Sequence, residues 1–388
     1  MSGGIEEIKT FILNYNCMDS RFIKFSLRAF NHYWLRKIDR HFSTNFSKPL
    51  VVLLYLTHAC NANCRYCSLP HKKHPNELTT KEWKMVILEL RKWLGTFYLN
   101  LCGGEPFLRK DIFEIIDFAN KIGIITDVTT NGSLFDNEKI KKTINSHLPK
   151  IIFSLEGVRK ETHDELREKG QFDKIMFAIN LLKNKKINIT LNTVINRYNL
   201  DELPDLVKFA HKNKLNGIKF VEVRVEFIKD EKIREEMWPK DKKKVNLVMD
   251  KLIELKREGY PIFNSVENLE LIRKYFLKSA PTFKKIYCNL PFDQFCIAAN
   301  GDVLSCFLAN KFFPKNLGNL RLSNPKNIWE SEVYVKSRKQ RRYCNRNCMM
   351  GEGYLSNEGI LSGIERFHMA FLRHIKFARA KAFYDEIV

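Results

Sequence analysis

Six short apolar runs alternate with six longer amphipathic runs across residues 48–259, and this alternation constrains the fold more than any other feature. Ile187 and Ile189 illustrate the two-residue period of a strand, and Ile112 and Ile116 the period of a helix. The predicted strands are 51–56, 97–101, 124–129, 150–155, 187–195 and 217–225, and the predicted helices are 79–94, 110–121, 136–146, 172–184, 201–213 and 240–257. Six such units with short connections predict an α/β fold with a parallel sheet, either open or closed into a barrel.

Polar or glycine-rich segments follow the first four predicted strands. They are Cys60 to Cys67, Cys102 to Pro106, Thr129 to Gly132, and Ser154 to Gly157. In open parallel sheets and in barrels alike, ligands bind at the carboxyl ends of the strands. The four segments are therefore expected to form one site.

Three cysteines lie within eight residues after the first strand, at Cys60, Cys64 and Cys67. An odd group of this size cannot pair off in disulfides, and the ten cysteines of the chain are clustered rather than evenly spread, which favours metal ligation in a reducing compartment. Three thiolates leave one position of a four-coordinate metal or cluster open. Zinc remains an alternative if a fourth ligand comes from His58, His71 or His74.

The pattern Cys-x3-Cys-x2-Cys, with Tyr66 before the last cysteine and Gly103-Gly104-Glu105-Pro106 after the second strand, resembles the radical S-adenosyl-L-methionine (SAM) superfamily. The resemblance covers about residues 48 to 350. It implies a partial (βα)6 barrel and a [4Fe-4S] cluster on Cys60, Cys64 and Cys67, whose fourth iron is chelated by the amino and carboxylate groups of SAM. An electron from the reduced cluster then cleaves SAM to a 5′-deoxyadenosyl radical, which abstracts hydrogen from a substrate.

The same resemblance implies the residues that bind SAM. It places Tyr66 by the adenine, the turn from Gly103 to Pro106 at the ammonium group, and Ser154 and Arg167 at the ribose or carboxylate. The full set of predicted cofactor-binding residues is Tyr66, Gly103, Gly104, Glu105, Pro106, Asn131, Ser154 and Arg167. One departure is Glu156, where relatives carry Asp, and no catalytic side chain is assigned.

A second group of cysteines lies near the C-terminus. Cys288, Gly301 and Cys306 resemble the opening of the SPASM/Twitch appendage of this superfamily, and Cys344 and Cys348 follow. The resemblance implies one auxiliary [4Fe-4S] cluster without an open position, on Cys288, Cys306, Cys344 and Cys348. Structural zinc fits the same four thiols. Cys17, Cys102 and Cys296 are interpreted as packing residues, although Cys296 lies close enough in sequence to compete as a ligand.

Basic amphipathic helices are predicted at both ends of the chain, over residues 20–42 and from Gly363 onward. The first has an apolar stripe of Ile23, Leu27, Phe30, Trp34 and Ile38. Such a stripe usually packs on its own domain, but it can also lie on an anionic membrane or an acidic partner. The formal net charge of +22 fits either an acidic partner or a lysine-rich solvated surface.

The predicted organisation has five parts: a helical basic N-terminal extension at 1–47, the barrel at 48–259, a linker at 260–287, a small cysteine-rich module at 288–350 and a helical basic tail at 351–388. No run of about 18 apolar residues or secretory leader is recognised. These features predict a cytoplasmic location, with peripheral attachment at the inner face of the membrane as a further prediction.

Four functions remain open on the sequence. The first is a radical SAM enzyme acting on a large substrate, a peptide or protein side chain, with SAM and a reductant such as ferredoxin or flavodoxin as partners. The alternative is modification of a lipid or lipid-linked sugar at a membrane surface. RNA modification ranks third because no RNA-binding module is recognised, so nucleic acid is not an expected partner. A cluster protein that has lost its chemistry is the non-enzymatic alternative.

Overall fold

The computed structural model describes residues 20–42, 44–67, 69, 76–225, 228, 230–277, 289–304 and 317–341. Several sequence predictions fall outside these residues. They concern His71, His74, Cys17, Cys288, Cys306, Cys344, Cys348 and the basic tail helix.

The six predicted strands form one parallel sheet, as expected. They are β1 (Val51–Thr57), β2 (Tyr98–Gly103), β3 (Ile125–Thr130), β4 (Lys150–Ser154), β5 (Asn188–Ile195) and β6 (Gly217–Glu222). Two further strands, β7 (Gln294–Ile297) and β8 (Val303–Leu304), extend the sheet, whose order is β6-β5-β4-β3-β2-β1-β7-β8. β7 runs parallel to β1, and β8 pairs antiparallel with β7.

Helices cross over between the strands, and six of the described helices begin at a side chain that caps them. Thr79, Asp136, Asp241 and Ser265 each accept a hydrogen bond from the backbone N–H three residues later. The helices are α1 (Ser20–Phe42), α2 (Thr80–Leu94), α3 (Ile112–Lys121), α4 (Asn137–Asn145), α5 (Lys160–Leu166), α6 (Gln171–Leu182), α7 (Leu203–Lys212), α8 (Glu231–Met237), α9 (Lys242–Arg257), α10 (Val266–Phe276), α11 (Leu290–Asp293), α12 (Pro325–Glu330) and α13 (Glu332–Arg341). No helix in the described part of the chain is long and apolar enough to cross a membrane.

β1 is buried on both faces, which explains its uninterrupted apolar sequence. Val52 and Leu54 join the large core shared with the crossover helices, including Trp83 of α2. Val51 and Leu53 belong to a smaller cluster that also contains Tyr55 and the buried Cys296, with Phe25, Ala29, Tyr98, Cys102 and Leu304 packed against it. Cys102 and Cys296 therefore contribute to packing.

The five-part division stays a prediction, but the structure shows how its pieces connect. Residues 294–304, assigned from sequence to the cysteine-rich module, continue the sheet beside β1. Residues 260–277, assigned to the linker, contribute α10 and a bridge from Ile262 to Ile218 of β6. Strand pairing and helix packing thus join these segments to the barrel.

α1 packs with the opposite face from the one expected. Its basic side is turned inward: Arg36 donates to both carboxylate oxygens of Asp293 at 2.9 and 2.7 Å, and His32 Nε2 lies 2.7 Å from Asp293 Oδ1, with all three side chains buried. Leu27 and Trp34 of the apolar stripe are exposed. The expectation that this stripe packs on its own domain is therefore wrong for the described residues, because Phe25 and Ala29 make the apolar contact instead.

We predict that Asp293→Ala destabilises the protein by about 3–5 kcal/mol, because it leaves the buried Arg36 guanidinium without its carboxylate partner. Urea titration monitored by circular dichroism measures the change. The control is Glu138→Ala, which removes an exposed pair with Lys142 and is expected to cost less than about 1 kcal/mol. Equal losses for the two variants would show that the Asp293 pair does not hold α1 in place.

Candidate active site

The segments that follow β1, β2, β3 and β4 meet at the carboxyl ends of these strands. The cysteine loop, residues 58–67, receives a backbone hydrogen bond from Gly104 N to Thr57 O at 2.8 Å at its start and another from Glu105 N to Ala59 O at 2.8 Å. On its other side, Arg65 N donates to Leu166 O at 3.1 Å. The four segments therefore lie close together at one edge of the sheet, as predicted.

Gly103 and Gly104 are required by the closeness of the cysteine loop. Gly103 has a φ of +128°, and a Cβ built on it would lie 2.4 Å from Thr57 O. A Cβ on Gly104 would lie 2.0 Å from Ala59 O. Both glycines allow the turn after β2 to contact the backbone that carries the thiols, and this contact between two loops was not foreseen from the sequence.

Glu105 lies at the centre of this junction and is completely buried. Its carboxylate accepts hydrogen bonds from Thr130 Oγ1 at 2.7 Å, Asn131 N at 2.8 Å and Phe107 N at 3.1 Å. Burial raises the pKa of the Glu105 carboxyl, and these hydrogen bonds oppose the rise. The side chain therefore ties the turn after β2 to the end of β3.

Asn131 continues the connection to the cysteine loop. Its side chain donates to Asn61 Oδ1 at 2.9 Å and accepts from Ser133 N at 2.9 Å, while Asn61 donates to Ser133 Oγ at 2.8 Å. Sequence reasoning named Asn131 but missed Asn61. Its position between the first two cysteines of the motif was the available signal.

Cys60, Cys64 and Cys67 are free thiols on one loop. The pKa of Cys64 is raised to about 11, chiefly by burial; Arg167 opposes this rise, and Cys67 and Cys60 add to it. The pKa of Cys60 is raised chiefly by burial, with Cys67 among the smaller causes. The three sulphurs therefore lie within electrostatic reach of one another.

These thiols fit a bound cation rather than a structural packing role. Cysteine binds metal as the thiolate, a charged form that burial disfavours. The positive charge of an iron core would stabilise the thiolates and so offset the effect of burial. Among the described residues, no three His, Cys, Asp or Glu side chains already converge as a metal-binding group, and His58 does not join the thiols in one. Of the three histidines considered as a fourth zinc ligand, His71 and His74 lie outside the described residues.

Buried Glu156 and partly buried Arg167 and Tyr66 form a cluster beside the thiols. Glu156 Oε1 accepts from Arg167 Nε at 3.0 Å and Tyr66 Oη at 2.6 Å, and Oε2 accepts from Val194 N of β5 at 2.8 Å. Burial lowers the pKa of Arg167, but Tyr66, Cys64 and Glu156 together hold it well above its usual value. The departure from Asp in the family pattern thus has a structural role, because the Glu carboxylate reaches three partners, including β5.

The remaining predicted positions lie around this cluster. Ser154 is buried at the end of β4, two residues before Glu156. His163 Nδ1 accepts from Glu156 N at 3.2 Å, and burial, aided by the charge of Arg167, lowers the pKa of His163 to about 3. A neutral His163 can therefore accept this hydrogen bond from the backbone of Glu156. Pro106, another predicted position, begins the short 3₁₀ turn that follows Glu105.

The face of the sheet that carries Tyr98, Asn100 and Lys150 contains a polar group that sequence reasoning missed. Asp127, 1% exposed, accepts from Asn100 Nδ2 at 2.6 Å and from Tyr98, and Lys150 Nζ lies 3.5 Å from it. Lys150 also donates to Tyr98 Oη at 3.1 Å. The signal was the polar residues at alternate positions of β2 and β3, Tyr98 and Asn100 in one and Asp127 and Thr129 in the other.

Two regions of the chain match known protein families. Residues 54–210 match the radical SAM superfamily, and residues 288–349 match the SPASM iron-sulfur cluster-binding domain. The second match includes all four C-terminal cysteines predicted as ligands, Cys288, Cys306, Cys344 and Cys348. Iron-sulfur ligation, rather than zinc, is therefore the chemistry of that domain.

Curated relatives match over part of their length. The PqqA peptide cyclase of Bradyrhizobium diazoefficiens is 32% identical over 175 residues, 44% of this chain and 46% of the relative. The mycofactocin maturase MftC of Mycolicibacterium smegmatis is 32% identical over 176 residues, 45% of each chain. The Fe-coproporphyrin III synthase of Methanosarcina barkeri is 29% identical over 232 residues, 58% of this chain and 57% of the relative. The chain thus spans about half the length of these relatives.

Solved structures share the fold at low identity. Streptococcus suis SuiB bound to the precursor peptide SuiA superposes with a TM-score of 0.64 and 16% identity, over 85% of this chain and 78% of SuiB. The structure of anSMEcpe with bound AdoMet superposes with a TM-score of 0.60 and 20% identity, over 85% of this chain and 98% of anSMEcpe. These similarities support the barrel architecture. The two family matches identify residues 54–210 as a radical SAM domain, which implies a [4Fe-4S] cluster and SAM as cofactors, and residues 288–349 as a SPASM iron-sulfur cluster-binding domain.

Proposed function

We propose that this protein is a radical SAM enzyme that cleaves SAM reductively and abstracts hydrogen from a peptide or protein side chain. The observation that carries the proposal is the junction of the three-thiol loop with the Gly-Gly-Glu-Pro turn, through the Gly104 and Glu105 backbone hydrogen bonds, at the carboxyl ends of the barrel strands. This is the edge at which parallel barrels bind their substrates.

In this proposal Cys60, Cys64 and Cys67 hold the cluster of the barrel. Such a cluster would supply the one electron that divides SAM into methionine and a 5′-deoxyadenosyl radical. The protein prepares the site by withdrawing Cys64 from water and by keeping Arg167 nearby, whose charge favours the thiolate. The four C-terminal cysteines hold a single auxiliary [4Fe-4S] cluster.

The SAM-binding residues divide into two kinds. Glu105 and Asn131 already engage neighbouring loops, so we propose that they position the turn from Gly103 to Pro106 at the amino acid end of SAM. Tyr66, Ser154 and Arg167 are proposed to contact the adenosine or carboxylate groups of SAM. Glu156 positions Tyr66 and Arg167 by accepting a hydrogen bond from each.

A peptide substrate is supported by the name of one relative, the PqqA peptide cyclase. A low-potential donor such as ferredoxin or flavodoxin is proposed as the reductant.

We predict that Cys64→Ala abolishes formation of 5′-deoxyadenosine from SAM and dithionite, because the cluster loses one of its three ligands. The variant is expected to lose about four iron atoms per chain while the auxiliary site keeps its own. Anaerobic chromatography and iron analysis measure both. Cys296→Ala, which removes a buried packing thiol, is the control and should retain cleavage. Undiminished deoxyadenosine from Cys64→Ala would contradict the assignment.

Glu156→Gln is expected to reduce SAM cleavage by about 10- to 100-fold, because Arg167 then lacks its buried anionic partner and Tyr66 loses its charge-assisted acceptor. Isothermal titration with SAM and the rate of deoxyadenosine formation measure the effect. Glu161→Gln, an exposed carboxylate on α5, serves as the control. Equal activity of the two variants would show that Glu156 does not contribute to SAM cleavage.

Gly104→Ala should prevent stable cluster incorporation, since its Cβ would overlap Ala59 O at 2.0 Å. The absorbance of the cluster and the melting temperature measure the loss. Gly170→Ala is the control for backbone strain without overlap. Gly170 has a φ of +82°, but an added Cβ would meet open space, so only about 1–2 kcal/mol of backbone strain is expected. Normal cluster content in Gly104→Ala would show that the loop contact is dispensable.

Proposals about the substrate are tested separately from those about SAM. Incubation of the reconstituted protein with candidate peptides encoded beside its gene should give a mass change that depends on SAM. If deoxyadenosine forms but no peptide changes, the peptide proposal fails while the SAM chemistry stands.

A further inference from the structure

The outward face of α1 is an apolar stripe without a partner in the described part of the chain. Leu27 is 57% exposed, Phe30 42%, Trp34 49%, Ile38 39% and Phe42 68%. Their spacing of three or four residues aligns them along one side of the helix. Single exposed apolar residues are ordinary, but a continuous row of five marks a binding surface.

The helix is held with this stripe outward by specific contacts. Arg36 and His32 bond the buried Asp293, and Arg28 Nη1 donates to Thr96 O at 2.6 Å. Rotating α1 to bury the stripe would break the Arg36–Asp293 pair and leave charges buried without partners, which is strongly unfavourable. These contacts therefore fix the orientation in which the stripe is exposed.

The charges beside the stripe are all of one sign. The exposed charged side chains of the helix, Lys24 and Lys37, are basic, and His41 is exposed near its end. Asp39 is the helix's one acidic residue, and it is buried, where it accepts hydrogen bonds from Phe46 N and Ser47 N. The exposed face thus combines large apolar groups with cations and presents no anion.

We propose that this face of α1 binds the surface of an anionic phospholipid membrane. Helices that lie in a membrane interface insert apolar and aromatic side chains among the lipid tails and direct lysines to the headgroups. Trp34 and Phe30 supply the inserted rings, and Lys37, whose Nζ lies 5.2 Å from the Trp34 ring, supplies charge at the boundary. Nucleic acid would leave Leu27 and Ile38 exposed, so lipid is the occupant that satisfies both features.

This attachment does not deliver lipid to the proposed active site. α1 contacts the chain just before β1, β2 and β7, through Pro49, Thr96 and Asp293. The cysteine loop lies at the opposite, carboxyl ends of the strands. The helix therefore tethers the protein at a membrane with the site at the far end of the barrel, whatever the substrate.

The test uses the full-length chain with vesicles of phosphatidylcholine alone or with 30% phosphatidylglycerol. Wild type is expected to co-sediment with the anionic vesicles, less at 500 mM salt, and weakly with the neutral ones. Trp34→Glu should lower the partition coefficient about tenfold or more. Phe30→Gln is the second variant in case the first misfolds, and Leu247→Glu, at an exposed leucine of α9, is the matched control that should bind like wild type.

Three results would overturn the proposal. The first is equal recovery with and without phosphatidylglycerol, and the second is unchanged binding by correctly folded Trp34→Glu and Phe30→Gln. The third is protection of Trp34 from iodide quenching in the absence of vesicles, judged by comparison with Trp34→Phe. That protection would show that another part of this chain, or a second copy, covers the stripe; size-exclusion chromatography separates these two cases.

Discussion

The fold depends on β1 as a strand buried on both faces and paired on both edges. β2 pairs with it from Val51 to Thr57, with an irregularity after Tyr55, and β7 pairs with it from Val51 to Leu54, both parallel. The cysteine loop begins where this strand ends, and Gly104 and Glu105 fix its first residues by backbone hydrogen bonds. The strand holds the loop in one position, which is required if three thiols are to bind the same cluster.

Two buried carboxylates connect the loops at the site, and each has its hydrogen bonds satisfied. Glu105 joins the ends of β2 and β3, while Glu156 joins β4 and β5 through Val194 N and neutralises Arg167. A buried anion is tolerated only with such partners, so each carboxylate specifies the relative position of the segments it bonds. The same physics operates at the other end of the barrel, where Asp293 fixes α1.

α1 shows that a helical pattern does not say which face is buried. Its apolar stripe is regular enough to predict core packing, yet the buried side carries His32, Arg36 and Asp39. The reason lies far along the chain: Asp293 is more than 250 residues away and becomes a neighbour only when β7 joins the sheet. A strong long-range ion pair outweighs the periodicity of a single helix.

The sequence by itself determined the six strand and helix units, the convergence of four segments at the strand ends, and the three-thiol motif with its glycine turn. These are local properties, set by residue periodicity and by residue chemistry at short spacing. Tertiary structure alone decided that β7 pairs beside β1, that Gly104 contacts the cysteine loop, that Asn61 bonds Asn131, and that the apolar stripe of α1 faces outward. Each of these depends on pairs of residues that are distant in the chain, whose proximity is fixed by strand order and burial rather than by any local pattern.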